Sequence, residues 1–305
     1  MKKEYDELIA QAKESTKEKN FDQAISYYEQ AFQEKVILQD LIDLGLAFLD
    51  NKEPHHALDI FESIVEEIGN SEYGYYGLGL TYEELGKKDE AIEAYQQAVN
   101  LNHMFYEAYF NLALLYDEDN DERAYDHYKK TLLYCPNHFW ANLNLGSFYE
   151  RHDYLDLALI HTEKAYQINP NEKMVTYNLG VIYARIKKYP EAINYYLEEI
   201  KKENGFLNAY LNLGLIYKDI YNDYEKAKKY YLAGIVKDKD NSTLWYNLGC
   251  LYILMNDYEN GYNCLLYANV KDYNLREFME KDEELNNFRK TLEYQKLLNV
   301  IGEAV

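Results

Sequence analysis

Basic residues are scarce in this chain. Its 305 residues hold 32 lysines and arginines against 53 aspartates and glutamates, a formal net charge of −21. A polyanion is repelled by such a surface, which argues against nucleic acid and against an anionic membrane face as partners. Cysteine is scarce too: Cys135, Cys250 and Cys264 are odd in number and have no CxxC spacing. That excludes a disulfide framework and leaves reduced thiols, as in a cytoplasmic protein. No stretch approaches the ~18 consecutive apolar residues of a membrane span, so no membrane insertion is expected. Acids follow Lys2 and Lys3 where a signal peptide would place its apolar core.

The motifs of catalysis are missing as well. There is no HExxH, GxGxxG, P-loop or GxSxG. None of the seven histidines pairs with a cysteine at metal-ligand spacing. His127 and His161 sit just before the ring position of a repeat described below, which accounts for them. The carboxylates fall on solvent-facing helical positions, without the burial that tunes an acid/base pair. No catalytic residue, metal site or cofactor is expected, and the chain is read as not an enzyme.

What is present is a period. A small residue recurs at Gly45, Gly79, Ala113, Gly146, Gly180, Gly214 and Gly249, at intervals of 33 to 35 residues. Three residues after each stands an aromatic, from Phe48 and Tyr82 to Tyr217 and Tyr252. A second small series runs Ala24, Ala57, Ala91, Ala124, Ala158, Ala192, Ala227 and Gly261. Four residues on from these come Tyr28, Phe61, Tyr95, Tyr128, Tyr196 and Tyr231, with Thr162 and Leu265 as exceptions. Offsets of three and four residues put small and large side chains on one helical face. Each unit is therefore a helix, a turn and an antiparallel second helix. Pro136 and Pro170 close second helices, because proline cannot continue them.

The blocks Trp245-Tyr-Asn-Leu-Gly-Cys-Leu-Tyr252, Tyr177-Asn-Leu-Gly-Val-Ile-Tyr183 and Asp89-Glu-Ala-Ile-Glu-Ala-Tyr95 carry this pattern most fully. It resembles the tetratricopeptide repeat, over nearly the whole chain. The resemblance implies an all-α fold, an α-solenoid in which antiparallel helix pairs wind into a right-handed superhelix. About eight repeats are placed at 5–37, 38–71, 72–105, 106–138, 139–172, 173–206, 207–241 and 242–275, forming one solenoid over 1–275. The first is degenerate, as a terminal unit can be. Residues 276–305 break the period. Leu285, Phe288, Leu292, Leu298 and Ile301 trace one apolar stripe, read as a C-terminal capping helix. A dimerisation or groove-blocking helix is the other reading.

In this family the first helices line the concave groove, and the residue before each Leu-Gly or Leu-Ala pair projects into it. Here that position reads Asn111, Asn144, Asn178, Asn212 and Asn247, with Asp43 and Gly77 departing. An amide donates and accepts at once, so a row of them suits a peptide backbone. The peptide-binding repeats of O-linked N-acetylglucosamine transferases are similar in carrying such a ladder. Tyr76, Phe110, Trp140, Tyr177 and Tyr246 stand beside the asparagines. Glu83, Glu84, Asp117 and Glu118 end the first helices of repeats three and four, while Arg151, Arg185 and Lys218 end those of repeats five to seven. A ligand basic toward one end and acidic toward the other would complement them. The groove lacks the lysines and arginines of the repeats that grip acidic chaperone tails, so that subtype is discounted. The expected function is a non-enzymatic adaptor holding an extended segment of a partner protein. The alternative is a receptor for a short free signalling peptide. The oligomeric state is left open, with a monomer the simpler case.

Overall fold

The computed structural model describes the backbone of residues 2–303 and the side chains of residues 4–300. Ile301, one of the stripe residues, lies outside the described side chains. The chain is all-α, with no strand among the described residues. Eight helix pairs follow one another: α1 (Lys2–Lys17) with α2 (Phe21–Phe32), α3 (Leu38–Asp50) with α4 (Pro54–Ile68), α5 (Glu72–Glu84) with α6 (Lys88–Leu101), and α7 (Tyr106–Glu118) with α8 (Arg123–Tyr134). They continue as α9 (Phe139–Arg151) with α10 (Leu155–Ile168), α11 (Val175–Arg185) with α12 (Tyr189–Glu199), α13 (Asn208–Leu215) with α14 (Tyr224–Lys237), and α15 (Ser242–Leu254) with α16 (Tyr258–Lys271). The chain divides into two compact units, Met1–Phe148 and Tyr149–Val305, the division falling inside α9. In the first unit α1 packs on α2, α2 on α3, and so on to α8's partner α7; in the second, α10 to α16 pack in the same successive way.

The three periodic series are the core of both units. Every alanine from Ala24 to Ala227 in the second-helix series is fully buried. So are the rings of Tyr28, Phe61, Tyr95, Tyr128, Tyr196 and Tyr231 and the exceptions Thr162 and Leu265. Each large side chain so buried contributes roughly 1.5–3 kcal/mol. The ring lies directly on the small residue of its own first helix. A Cβ added to Gly180 would stand 2.5 Å from the Tyr196 ring, and one added to Gly214 would stand 2.1 Å from the Tyr231 ring. The helices can approach this closely only because nothing projects there.

A second ring layer closes the far end of four of the pairs. Tyr116 stacks on His127, Tyr149 on His161, Tyr183 on Tyr195 and Tyr217 on Tyr230, with centroids 5.3 to 5.6 Å apart. His127 and His161 are thus parts of the repeat. Burial holds His127 neutral, its pKa pushed down to about 4.

The turn between paired helices has its own period. Lys19, Lys52, Gly86, Asn120, Asp153, Lys187, Asn222 and Asn256 all have left-handed backbones, with φ from 52° to 71°. From repeat two onward the next residue then donates its N–H to the carbonyl of the first helix's closing aromatic: Glu53 to Phe48 at 2.9 Å, Lys87 to Tyr82 at 2.8 Å, Lys188 to Tyr183 at 2.8 Å; in repeat one Asn20 donates to Ser15. This is the glycine-type helix stop, and only one of the eight residues is glycine. In repeat seven α13 runs into a π turn, Ile216–Ile220, and Asp223 reaches the Tyr217 carbonyl from one residue further on. The π turn absorbs the extra residue that lengthens the local period to 35.

The C-terminal stripe is not one helix, which corrects the sequence reading. Past α17 (Leu275–Lys281) come two 3₁₀ turns, Glu283–Leu285 and Phe288–Lys290, and then α18 (Leu292–Glu303). Asp282 caps the first turn by accepting from the Glu284 N–H at 2.9 Å. Asn286 and Asn287, residues that favour turns over helix interiors, separate the two. Leu285, Phe288 and Leu297 are fully buried against Tyr246, Cys250 and Leu265, whereas Leu292 is exposed. These short pieces pack their buried side chains against the last repeat.

A left-handed lysine is strained by roughly 1–2 kcal/mol relative to glycine, which loses part of that gain through its greater freedom when unfolded. Lys187→Gly is expected to stabilise the protein by about 0.5–1 kcal/mol in urea denaturation. Lys187→Val should destabilise it. No gain from glycine would mean the turn is not held in the left-handed region.

Candidate functional site

Every asparagine of the ladder lies on a first helix and is half-buried. Its environment begins in the preceding repeat. The Asn111 Nδ2 donates to the Tyr95 hydroxyl at 3.0 Å. Asn212 Nδ2 does the same to Tyr196 at 3.0 Å and lies 3.4 Å from the Tyr177 hydroxyl. The core tyrosine therefore crosses its own repeat, and its hydroxyl emerges beside the next repeat's asparagine. The sequence follows this contact in part, since Tyr28 precedes Asp43 and Asn178 follows Thr162, which has no ring. Where the preceding ring is Phe61, which has no hydroxyl, the position is Gly77, and a Cβ there would stand 2.1 Å from the ring. Where it is Tyr95, Tyr128, Tyr196 or Tyr231, the position is asparagine.

Around these two bonds the same small site is built twice. Tyr76 lies 5.6 Å from the Tyr95 ring and 4.9 Å from Phe105 in the first unit. Tyr177 lies 5.8 Å from Tyr196 and 4.6 Å from Phe206 in the second. Burial pushes the Tyr76 hydroxyl up to about 12, with Glu107 adding to the rise and the Asn111 amide opposing it. Tyr95 donates to the Glu83 carboxylate while accepting from Asn111.

The remaining expected residues are placed unevenly. Phe110 is half-buried against His138, its ring 4.5 Å away. Trp140 is 46% exposed and meets Phe139 edge-on. Asn144 and Asn178 are half-buried on α9 and α11. Asn247 turns its amide back to the Thr243 carbonyl at 2.9 Å, not to Tyr231. Arg151 is exposed at the end of α9. Arg185 is paired with Glu150 and, at 3.0 Å, with Asp153.

Tyr246 and Lys218 are covered by the chain itself. The Tyr246 hydroxyl donates to Asp282 Oδ2 at 2.5 Å, and Phe278 packs 5.4 Å from its ring. Lys218, in the π turn, is buried with its Nζ 2.5 Å from Glu284 and 3.3 Å from Asp219. The expectation of a basic edge open to an acidic ligand is therefore corrected at repeats six and seven: Arg185 and Lys218 already hold acids of this chain. The Cys250, Asp282 and Glu284 donors come within 4.8 Å of one another. The Lys218 ammonium already supplies positive charge there, and burial raises the Cys250 thiol so that it stays protonated. That donor set is poorly matched to a metal ion.

A family model described as "TPR repeat" matches residues 79–119, and two described as "Tetratricopeptide repeat" match 175–207 and 207–235 with 242–268. The BBSome complex member BBS4 of Bos taurus is 24% identical over 186 residues, 61% of this chain and 36% of that protein. The anaphase-promoting complex subunit CDC16 of Saccharomyces cerevisiae is 25% identical over 198 residues, 62% of this chain and 24% of its own length. The chain thus spans about a quarter to a third of the length of these relatives. The crystal structure of the APC/C hetero-tetramer Cut9-Hcn1 matches 92% of this chain and 52% of its own with a TM-score of 0.57 at 14% identity, a likeness of fold.

Because the Asn212 amide is bonded to two tyrosine hydroxyls, Asn212→Ala is expected to lower stability by about 1 kcal/mol. Asn247→Ala, which loses only a solvent-exposed bond to its own helix, should leave the urea midpoint unchanged. Equal effects would show that the tyrosine bonds carry no stability.

Proposed function

This chain is a tetratricopeptide-repeat protein, and from that premise we propose that it is a non-enzymatic adaptor whose first-helix faces hold an extended segment of a partner protein. The observation that carries this reading is the regular placing of half-buried amides among half-buried rings: Asn111 beside Tyr76 and Phe110 in one unit, Asn178 and Asn212 beside Tyr177 in the other. At Asn111 and Asn212 the amide nitrogen is engaged by tyrosine. A side-chain amide also carries a carbonyl oxygen that accepts, which suits a peptide N–H. The bond to tyrosine fixes the amide's direction before a ligand arrives, which lowers the entropy lost on binding.

Apolar rings between the amides supply the burial that hydrogen bonds alone do not. The relatives named as members of multi-protein complexes agree with an assembly role. No helix among the described residues is long and apolar enough to cross a membrane. The proposed setting is the cytoplasm, in keeping with the three free cysteines, two of them buried. The net charge of −21 speaks for a protein or peptide partner and against nucleic acid.

Asn144→Ala with Asn178→Ala tests the reading on a partner isolated with the native protein. Each lost backbone bond is worth about 1 kcal/mol, so the double variant should bind roughly tenfold or more weakly by isothermal titration. Unchanged affinity in a folded double variant would exclude the amides from the interface.

A further inference from the structure

We propose that the first-helix face of repeats two to four takes a cationic segment, with a lysine or arginine beside Glu83 and an aliphatic or aromatic side chain in the cavity under Tyr76. This rests on the adaptor reading and adds the chemistry of the partner. One position of the repeat, the residue just after the first helix's closing aromatic, is charged in several repeats. It is Glu83 after Tyr82 in repeat three, Asp117 after Tyr116 in repeat four, and Lys218 after Tyr217 in repeat seven. At repeat seven the position is filled: the chain's own Glu284 reaches the Lys218 ammonium from 66 residues away. The fold thus displays, in one unit, an opposite charge docked onto this position from a separate segment.

At repeat three the sign is reversed. Glu83 accepts from the Tyr95 hydroxyl but makes no ion pair among the described residues. The cations nearby are committed elsewhere, Lys52 to Glu84 at 3.2 Å and Lys88 to Glu118 and Asp119 at 3.1 and 3.0 Å. Glu83 is exposed to solvent, yet partial desolvation where it meets Tyr95 raises its carboxyl above the ordinary value; the Tyr95 bond opposes this, and Glu118 and Glu84 add to it. An arriving ammonium or guanidinium relieves that strain.

Apolar space adjoins the acid. A cavity of about 560 Å³ is lined by Leu46, Leu49 and Leu80 together with Asp50, Glu83, Glu84 and Lys52, the lysine being paired with Glu84. A smaller one of about 180 Å³ shares Leu46 and is lined by Ile42, Phe61, Tyr76 and Phe105, with Gln39 and Glu107 at its mouth. The apolar walls suit a buried side chain, and the lining acids select a positive neighbour for it over a negative one.

Two fluorescein-labelled peptides test this on the full-length protein, one of repeated leucine, serine and lysine, the other with glutamate for every lysine. The lysine peptide is expected to bind by fluorescence polarisation and the glutamate peptide not to bind. Glu83→Gln with Glu107→Gln should weaken it about tenfold, since glutamine keeps the hydrogen bonds and removes the charge. Glu66→Gln with Glu93→Gln removes equal charge from second helices and should change it less than about twofold. Thermal melts check that both variants are folded. Failure of the lysine peptide to bind, or equal weakening in both variants, would overturn the proposal, the second outcome by tracing attraction to net charge alone. A native partner sensitive to Asn144→Ala and Asn178→Ala but indifferent to the Glu83 and Glu107 changes would leave the adaptor reading standing and this one refuted.

Discussion

In repeat six the ring of Tyr196 lies on Gly180, and the same contact recurs where Tyr95 meets Gly79 and Tyr231 meets Gly214. The glycine lets two helices close on each other, and the ring fills the space that remains. Neither helix could bury its apolar stripe alone, so pairing and stacking follow from this one fit. The series of fully buried alanines does the equivalent work from the second helix.

The same ring links architecture to function. A phenylalanine would satisfy the packing, as Phe61 does, but a tyrosine carries its hydroxyl through the repeat to the next first helix. A hydroxyl ending there half-buried needs a partner. Asn111 and Asn212 supply one, and thereby become amides of fixed direction on a half-exposed face. At these two positions the asparagine is thus a consequence of the core as well as a candidate surface for ligand. This also gives part of the abundance of tyrosine a structural cause, together with the stacked pairs Tyr183 on Tyr195 and Tyr217 on Tyr230.

The period, the paired helices and the buried series were legible in the sequence, because a 34-residue interval repeats small and large residues at fixed offsets. The first-helix positions of the asparagines followed from that register. Other features left little trace. The left-handed stops at Gly86 and Asn256 use residues suited to them, but Lys52 and Lys187 carry no turn preference and reveal themselves only by backbone angle. The bond from Tyr95 to Asn111 is visible in sequence only when the ring of one repeat is read against the groove position of the next. The Phe61 and Gly77 pair was the available signal. Glu284 on Lys218 joins residues far apart outside the period, so no spacing rule could find it. The asparagines between Leu285 and Leu292 broke what hydrophobic spacing alone had joined into one helix.

The link between core ring and groove amide is tested most directly by a double-mutant cycle on Tyr196→Phe and Asn212→Ala, with unfolding free energies from urea titration. A shared bond predicts a coupling of about 1 kcal/mol, the double variant losing less than the two single losses added together. Additive losses, with coupling indistinguishable from zero, would contradict it and leave Asn212 without this structural cause.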